Sequence, residues 1–184
     1  IDASRTMQND DSVIDSLASL AKKTGFVSQN FSEATALALA PLEPFAAYVI
    51  TQAIQRYGQN ERSLFSFLNA RGRNSLSEYE GKIYQLQCCY DYIYYNFYSY
   101  LKEANADSMQ WSSMQVAIER VEGQLWETKT DLVDAIKLVK AIGLLNLFGN
   151  ASFKMNREDT ALYAKTALNI ENPTGLLKKL EQFK

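Results

Sequence analysis

The sequence predicts an all-α fold, and three observations carry that expectation. Apolar residues recur three and four apart in nearly every segment. Only 3 Pro and 8 Gly interrupt 184 residues, so few breakers stand in the way of long helices. The one alternating stretch, with aromatics at Tyr90, Tyr92, Tyr94, Tyr98 and Tyr100, lies inside a longer helical seam: Ile83, Leu86, Tyr90, Ile93, Phe97 and Leu101 keep three-four spacing over five turns. Aromatics favour strands, but no turn signal breaks this seam, and the helical reading is preferred.

From Asp10 to Thr24 the residues Val13, Ile14, Leu17, Leu20 and Ala21 share one helical face, and Gly25 is placed to end it. Residues 26–42 are less regular, with an Ala-rich apolar run from Ala34 to Ala40 before Pro41. Pro44 suits the first turn of a second helix, where its missing N–H costs nothing. That helix is apolar over much of its surface, which marks it as central, and Gly58 closes it. Asn60 is placed to cap a short third helix anchored by Leu64, Phe65 and Leu68. Ser75 with Glu78 has the spacing of a capping box. The stripe Trp111, Met114, Ile118, Val121 and Leu125 predicts the next helix. Asp131 is placed to cap another that runs to Phe148 and buries its nearly all-apolar second half. Asn156 with Asp159 starts a helix to Leu168. Asn172 and Pro173 start the last, with Leu176, Leu177, Leu180 and Phe183 on one face. A soft boundary falls between Glu127 and Asp131, dividing the chain into 1–128 and 129–184.

Composition narrows the chemistry. The absence of histidine removes Ser-His-Asp and Cys-His nucleophilic sites and ordinary zinc sites. No Gly-x-x-x-x-Gly-Lys-Ser/Thr occurs, so these residues alone cannot cradle a triphosphate. A net charge of −2 gives no global attraction to nucleic acid or anionic membrane. No run of about 20 apolar residues predicts a membrane span. Adjacent Cys88 and Cys89 read as reduced, partly buried thiols of a cytoplasmic protein. The carboxylate pairs Asp10-Asp11, Glu158-Asp159 and Asp131/Asp134 all sit at expected helix starts, where the helix dipole stabilises negative charge. None reads as a metal or acid/base site. The first residues, Ile1 to Arg5, have no signal-peptide character, and the missing initiator Met suggests an excised or internal segment.

Several segments resemble a family of large bacterial P-loop ATPases, many of them suspected of antiphage roles. They are Pro41-Leu42-Glu43-Pro44 followed by Gln59-Asn60-Glu61-Arg62-Ser63-Leu64-Phe65-Ser66-Phe67-Leu68, then Tyr90-Asp91-Tyr92. Trp111 with Ala117-Ile118-Glu119-Arg120 follows, and last Lys140-Ala141-Ile142-Gly143-Leu144-Leu145-Asn146-Leu147-Phe148. The likeness is scattered over residues 37–184. Glu43 departs from it, since the family pattern there is Pro-Leu-His-Pro. The resemblance implies the helical region downstream of a nucleotide-binding core: a lid-like bundle over 1–128, then three helices over 129–184 that form the helical half of a winged-helix domain. It implies nucleotide-driven conformational work in defence against foreign DNA. ATP with Mg would be held by the parent protein and no cofactor by this chain. The partner would be the nucleotide-binding domain of the same parent chain.

Within that frame Asn60 and Arg62 are candidates to contact nucleotide, because a helical lid often supplies an Arg to the phosphates. The alternative is that Glu61 complements the helix dipole and Arg62 makes a structural ion pair. The tyrosines could stack on unpaired bases, but no Lys or Arg lies between Lys82 and Lys102, which favours core and interface roles. Lys178, Lys179 and Lys184 are the weak nucleic-acid candidates on the last helix; packing against protein is preferred there. The expected function is a non-catalytic regulatory or scaffolding segment of an ATPase. The alternatives are a free-standing protein-interaction module and, less favoured, a DNA-binding segment.

Overall fold

A computed structural model describes residues 2–58, 62–69, 73–103 and 105–183, with side chains described from Asp11 onward, Arg62 excepted. Among these residues the chain is helical, without strands; a single parallel bridge joins Leu42 to Tyr84.

The first helix, α1 (Asp2–Lys23), starts well before the expected Asp10, so Asp10 and Asp11 lie inside it rather than at its start. Gly25 ends it at φ 70, and a Cβ there would stand 2.5 Å from the Ser152 carbonyl oxygen. Both constraints call for glycine. Ser32 caps the short α2 (Glu33–Ala38). The central helix α3 (Pro44–Tyr57) buries Phe45, Ala46, Ala47, Val49, Ile50, Ala53 and Tyr57, as its largely apolar surface implies, and exposes Thr51, Gln55 and Arg56. Gly58 closes it, and α4 (Arg62–Asn69) follows.

The Ser75–Glu78 capping box does not form. Leu76–Glu78 is a single 3-10 turn, and Ser75 makes no side-chain cap bond. The tyrosine-rich seam is helical but divided into α5 (Leu86–Asn96) and α6 (Tyr98–Lys102). The break has a local cause: the Asn96 side-chain amide donates to the Tyr92 carbonyl at 2.8 Å, and Phe97 leaves helical geometry at φ −113, ψ 16. Phe97 then packs edge-on against Tyr92 and, at a tilt, against Tyr57.

α7 (Ser108–Glu122) ends at Gly123, so Leu125 falls outside it and is 96% exposed; only Trp111, Met114, Ile118 and Val121 of the expected stripe are buried. α8 (Lys129–Phe148) is capped by Thr128. Asp131 is the third residue of a capping box and bonds back to Thr128, rather than being the cap itself. α9 (Arg157–Ala167) and α10 (Pro173–Leu180) start at Asn156 and Asn172 as expected.

α8 packs on α3, α5, α7 and α10, while α1 packs on α2, α3 and α9. One apolar cluster runs from Leu17 through α3, α5 and α8 to Leu177, with residues from both sides of the 128/129 division. Burying a Leu or Phe side chain contributes about 1.5–3 kcal/mol, so α3 and α8, with the most buried apolar positions, dominate the core.

Candidate interaction surface

Several of the segments singled out in the sequence meet at two structural nodes. In the first, Lys140 on α8 bonds Asp91 on α5 at 2.5 Å, and its ammonium lies 5.2 Å from the Tyr90 ring centroid. Trp111 on α7 packs on the same ring at 5.3 Å. Tyr90-Asp91-Tyr92, Trp111 and Lys140 thus tie three helices together, and their role in this chain is packing.

The second node is Glu43, whose carboxyl is fully buried. It is the N-cap of α3: Phe45 N–H donates to Oε2 at 2.7 Å and Ala46 N–H to Oε1 at 3.1 Å. The Tyr163 hydroxyl on α9 also donates to Oε1, at 2.8 Å. Burial pushes this carboxyl from its ordinary 4.5 up to about 7, against the three donors, which pull it down. Cys89 on α5 is the other titratable group facing it. The sequence marked Glu43 only as a departure from a pattern; its burial depends on Tyr163, far along the chain. Its position before Pro44 was a usable capping signal.

No group of three or more His, Cys, Asp or Glu among the described residues could hold a metal ion. Burial pushes the thiols of Cys88 and Cys89 up, away from thiolate reactivity. The tyrosines of α5 and α7's Trp111 are mostly core. Cations do reach the tyrosines left exposed, from outside the segment: Arg73 lies 5.8 Å from the Tyr95 centroid and Lys102 lies 4.5 Å from that of Tyr98.

Asn60 lies outside the described residues. Arg62 opens α4, which places it at the helix start as expected. The rest of α4 reverses the expected face. Phe67 is the buried anchor, edge-on to Tyr84 at 5.5 Å and Tyr92 at 4.9 Å. Leu64, Phe65 and Leu68, expected in the core, are 43%, 66% and 40% exposed. The face they form borders an apolar cleft of about 550 Å³ that Phe31, Leu39, Leu42, Tyr48 and Phe67 help to line. On α10, Lys178 is exposed, but the Lys179 ammonium sits 4.4 Å from the Trp126 ring centroid and is engaged within the chain. Lys184 lies outside the described residues. Of the two described lysines, Lys178 is exposed to solvent and Lys179 is held on Trp126.

No family model, curated protein or solved structure matches this chain.

Proposed function

We propose that this chain is a non-catalytic helical segment of a larger bacterial P-loop ATPase, docked on the nucleotide-binding domain of the same parent protein and coupling nucleotide state to domain arrangement. ATP and Mg are bound by that other domain, and the proposed setting is defence against foreign DNA. The observation that carries the reading is the outward face of α4. It is the segment whose sequence resembles the ATPase family, and it leaves Leu64, Phe65 and Leu68 partly on the surface, Phe67 being its one fully buried side chain among the described residues.

The size of that face favours a covalently attached partner. Its three side chains present on the order of 300 Å², the scale of a functional patch. That is well short of the roughly 800 Å² per partner of a stable free complex. A domain joined in the same polypeptide works at high effective concentration and needs less area. In this reading Arg62, which opens α4 and is an always-charged bidentate donor, acts from the start of that helix. In this reading α8, α9 and α10 are the helical half of a winged-helix unit that packs on protein, in keeping with Lys179 being held on Trp126.

The test is Arg62→Ala in both contexts. The expected outcome is an unchanged melting temperature for the isolated chain, within about 2–4 °C, together with an ATPase rate of the parent lowered about tenfold or more. An isolated chain that melts earlier, with the parent's rate per folded molecule unchanged, would assign Arg62 to a structural ion pair and remove the link to the nucleotide.

A further inference from the structure

A second concave surface, remote from α4, runs between α7 and α10 over the outer face of α8. Gly143 lies beneath Met114: a Cβ at that position would stand 2.3 Å from Met114 Sδ, so a larger residue there would have to displace that flexible side chain. α10 packs on α8 and α9. Between the two walls the floor is Val139, Ile142 and Asn146, at three- and four-residue spacing along α8. Two adjoining cavities of about 470 and 680 Å³ share Met109, Ala117 and Leu180, and a third of about 730 Å³ continues past Asn146 and Leu177. Along α7 the lining extends from Met109 to Arg120. At 1.5 Å per residue that is roughly 16 Å, or three helical turns. Met109 and Val116 are 77% and 46% exposed on its wall.

The charges on this trough are of one sign where they are unpaired. Arg120 stands at one end and Lys154 at the other; both are exposed, and neither makes an ion pair among the described residues. The lone carboxylate in the lining, Glu181, is offset by Arg157 at 3.4 Å. The middle is mostly apolar, with Gln110, Ser113 and Asn146 as neutral polar groups.

We propose that the trough between α7 and α10 is a docking site for an amphipathic helix of a partner protein, at least about three turns long, whose apolar stripe lies on Val139, Ile142 and Leu180 and whose flanks carry carboxylates that meet Arg120 and Lys154. An apolar stripe at three-four spacing matches the floor. Acidic flanks match the two unpaired cations and set the orientation and on-rate. This surface is independent of the α4 face, and neither proposal rests on the other.

The test uses a labelled synthetic 15-residue helix with Leu at positions 4, 7, 8 and 11 and Glu at both ends, titrated by fluorescence anisotropy. The expected result is saturable binding that weakens with added salt. The charge-reversal pair Arg120→Glu with Lys154→Glu should weaken it about tenfold or more, with the circular dichroism spectrum unchanged because both side chains are exposed. Ala117→Trp, which fills the trough, should abolish it, while Phe65→Ala on α4 should leave it intact. The proposal is overturned if the acidic peptide does not bind, if a Lys-flanked version binds equally well, or if the charge reversal changes nothing. Binding of phosphatidylglycerol vesicles in place of the peptide would overturn it in favour of a lipid surface.

Discussion

Replacing Glu43 by Gln should change how the stability of this chain depends on pH. Folding takes the carboxyl from water, where it titrates near 4.5, to a fully buried site where it titrates at about 7. Between those values the folded chain holds a proton that the unfolded chain has released, so stability falls as pH rises. The contribution is complete below 4.5, declines through the interval and is gone above 7. At 1.36 kcal/mol per pH unit, the loss between pH 5 and pH 8 is about 2.5 kcal/mol. Against a typical total of about 5–15 kcal/mol this is large. Gln keeps the shape and removes the titration. It sets an amide donor against one of the three donors that the carboxyl accepts, at a cost of about 1 kcal/mol. The variant should therefore be level with the parent near pH 5 and about 2 kcal/mol more stable at pH 8, which for a chain of this size is about 4–8 °C in melting temperature. The window is clean because the chain has no histidine. Urea denaturation at half-unit pH steps gives both curves. Parallel slopes for parent and variant, or a parent that gains stability as pH rises, would refute the reasoning.

Phe67→Ala should cost about 3–5 kcal/mol, since the ring is fully buried between Tyr84 and Tyr92; Phe65→Ala should stay within about 0.5 kcal/mol in the isolated chain, both read by chemical denaturation. Gly25→Ala should destabilise by more than the roughly 1–2 kcal/mol of a left-handed backbone alone, because the added Cβ meets the Ser152 carbonyl; melting temperature reports it. With Cys89 fully buried and its thiol pushed up by burial, a disulfide-exchange reagent at neutral pH should label it only at the rate at which urea unfolds the chain.

Much of the helical order was legible because it is written in local chemistry. Gly25, Pro44 with Gly58, Asn156 with Asp159, and Asn172-Pro173 each act within one turn of the residue that carries them, and the structure uses all of them. The failures lie where a distant residue decides. α4 is apolar at Leu64, Phe65, Phe67 and Leu68, so periodicity alone could not choose which face turns inward. The slot between Tyr84 and Tyr92 chose Phe67. Leu125 continued the α7 stripe in sequence, but Gly123 ends the helix first. Asp131 and Thr128 both suit a cap, and the hydroxyl took that place while the carboxylate took the third position. At the candidate surface, the sequence located the start of α4 and the lysines of α10, but not that Trp126 would engage Lys179. Burial of Glu43 needs Tyr163 on α9 and a closed core around both.

The most direct test of the docking account is amide hydrogen exchange along α4, measured in the isolated chain and in the intact parent protein. In the isolated chain, α4 is held by Phe67 while Leu64, Phe65 and Leu68 face water, so its amides should exchange faster than those of α3 and α8. In the parent, burial of that face should slow them about tenfold or more, with the amides of α3 and α8 unchanged. Equal exchange of α4 in the two contexts would mean that its outward face meets no neighbouring domain, and would contradict the central claim.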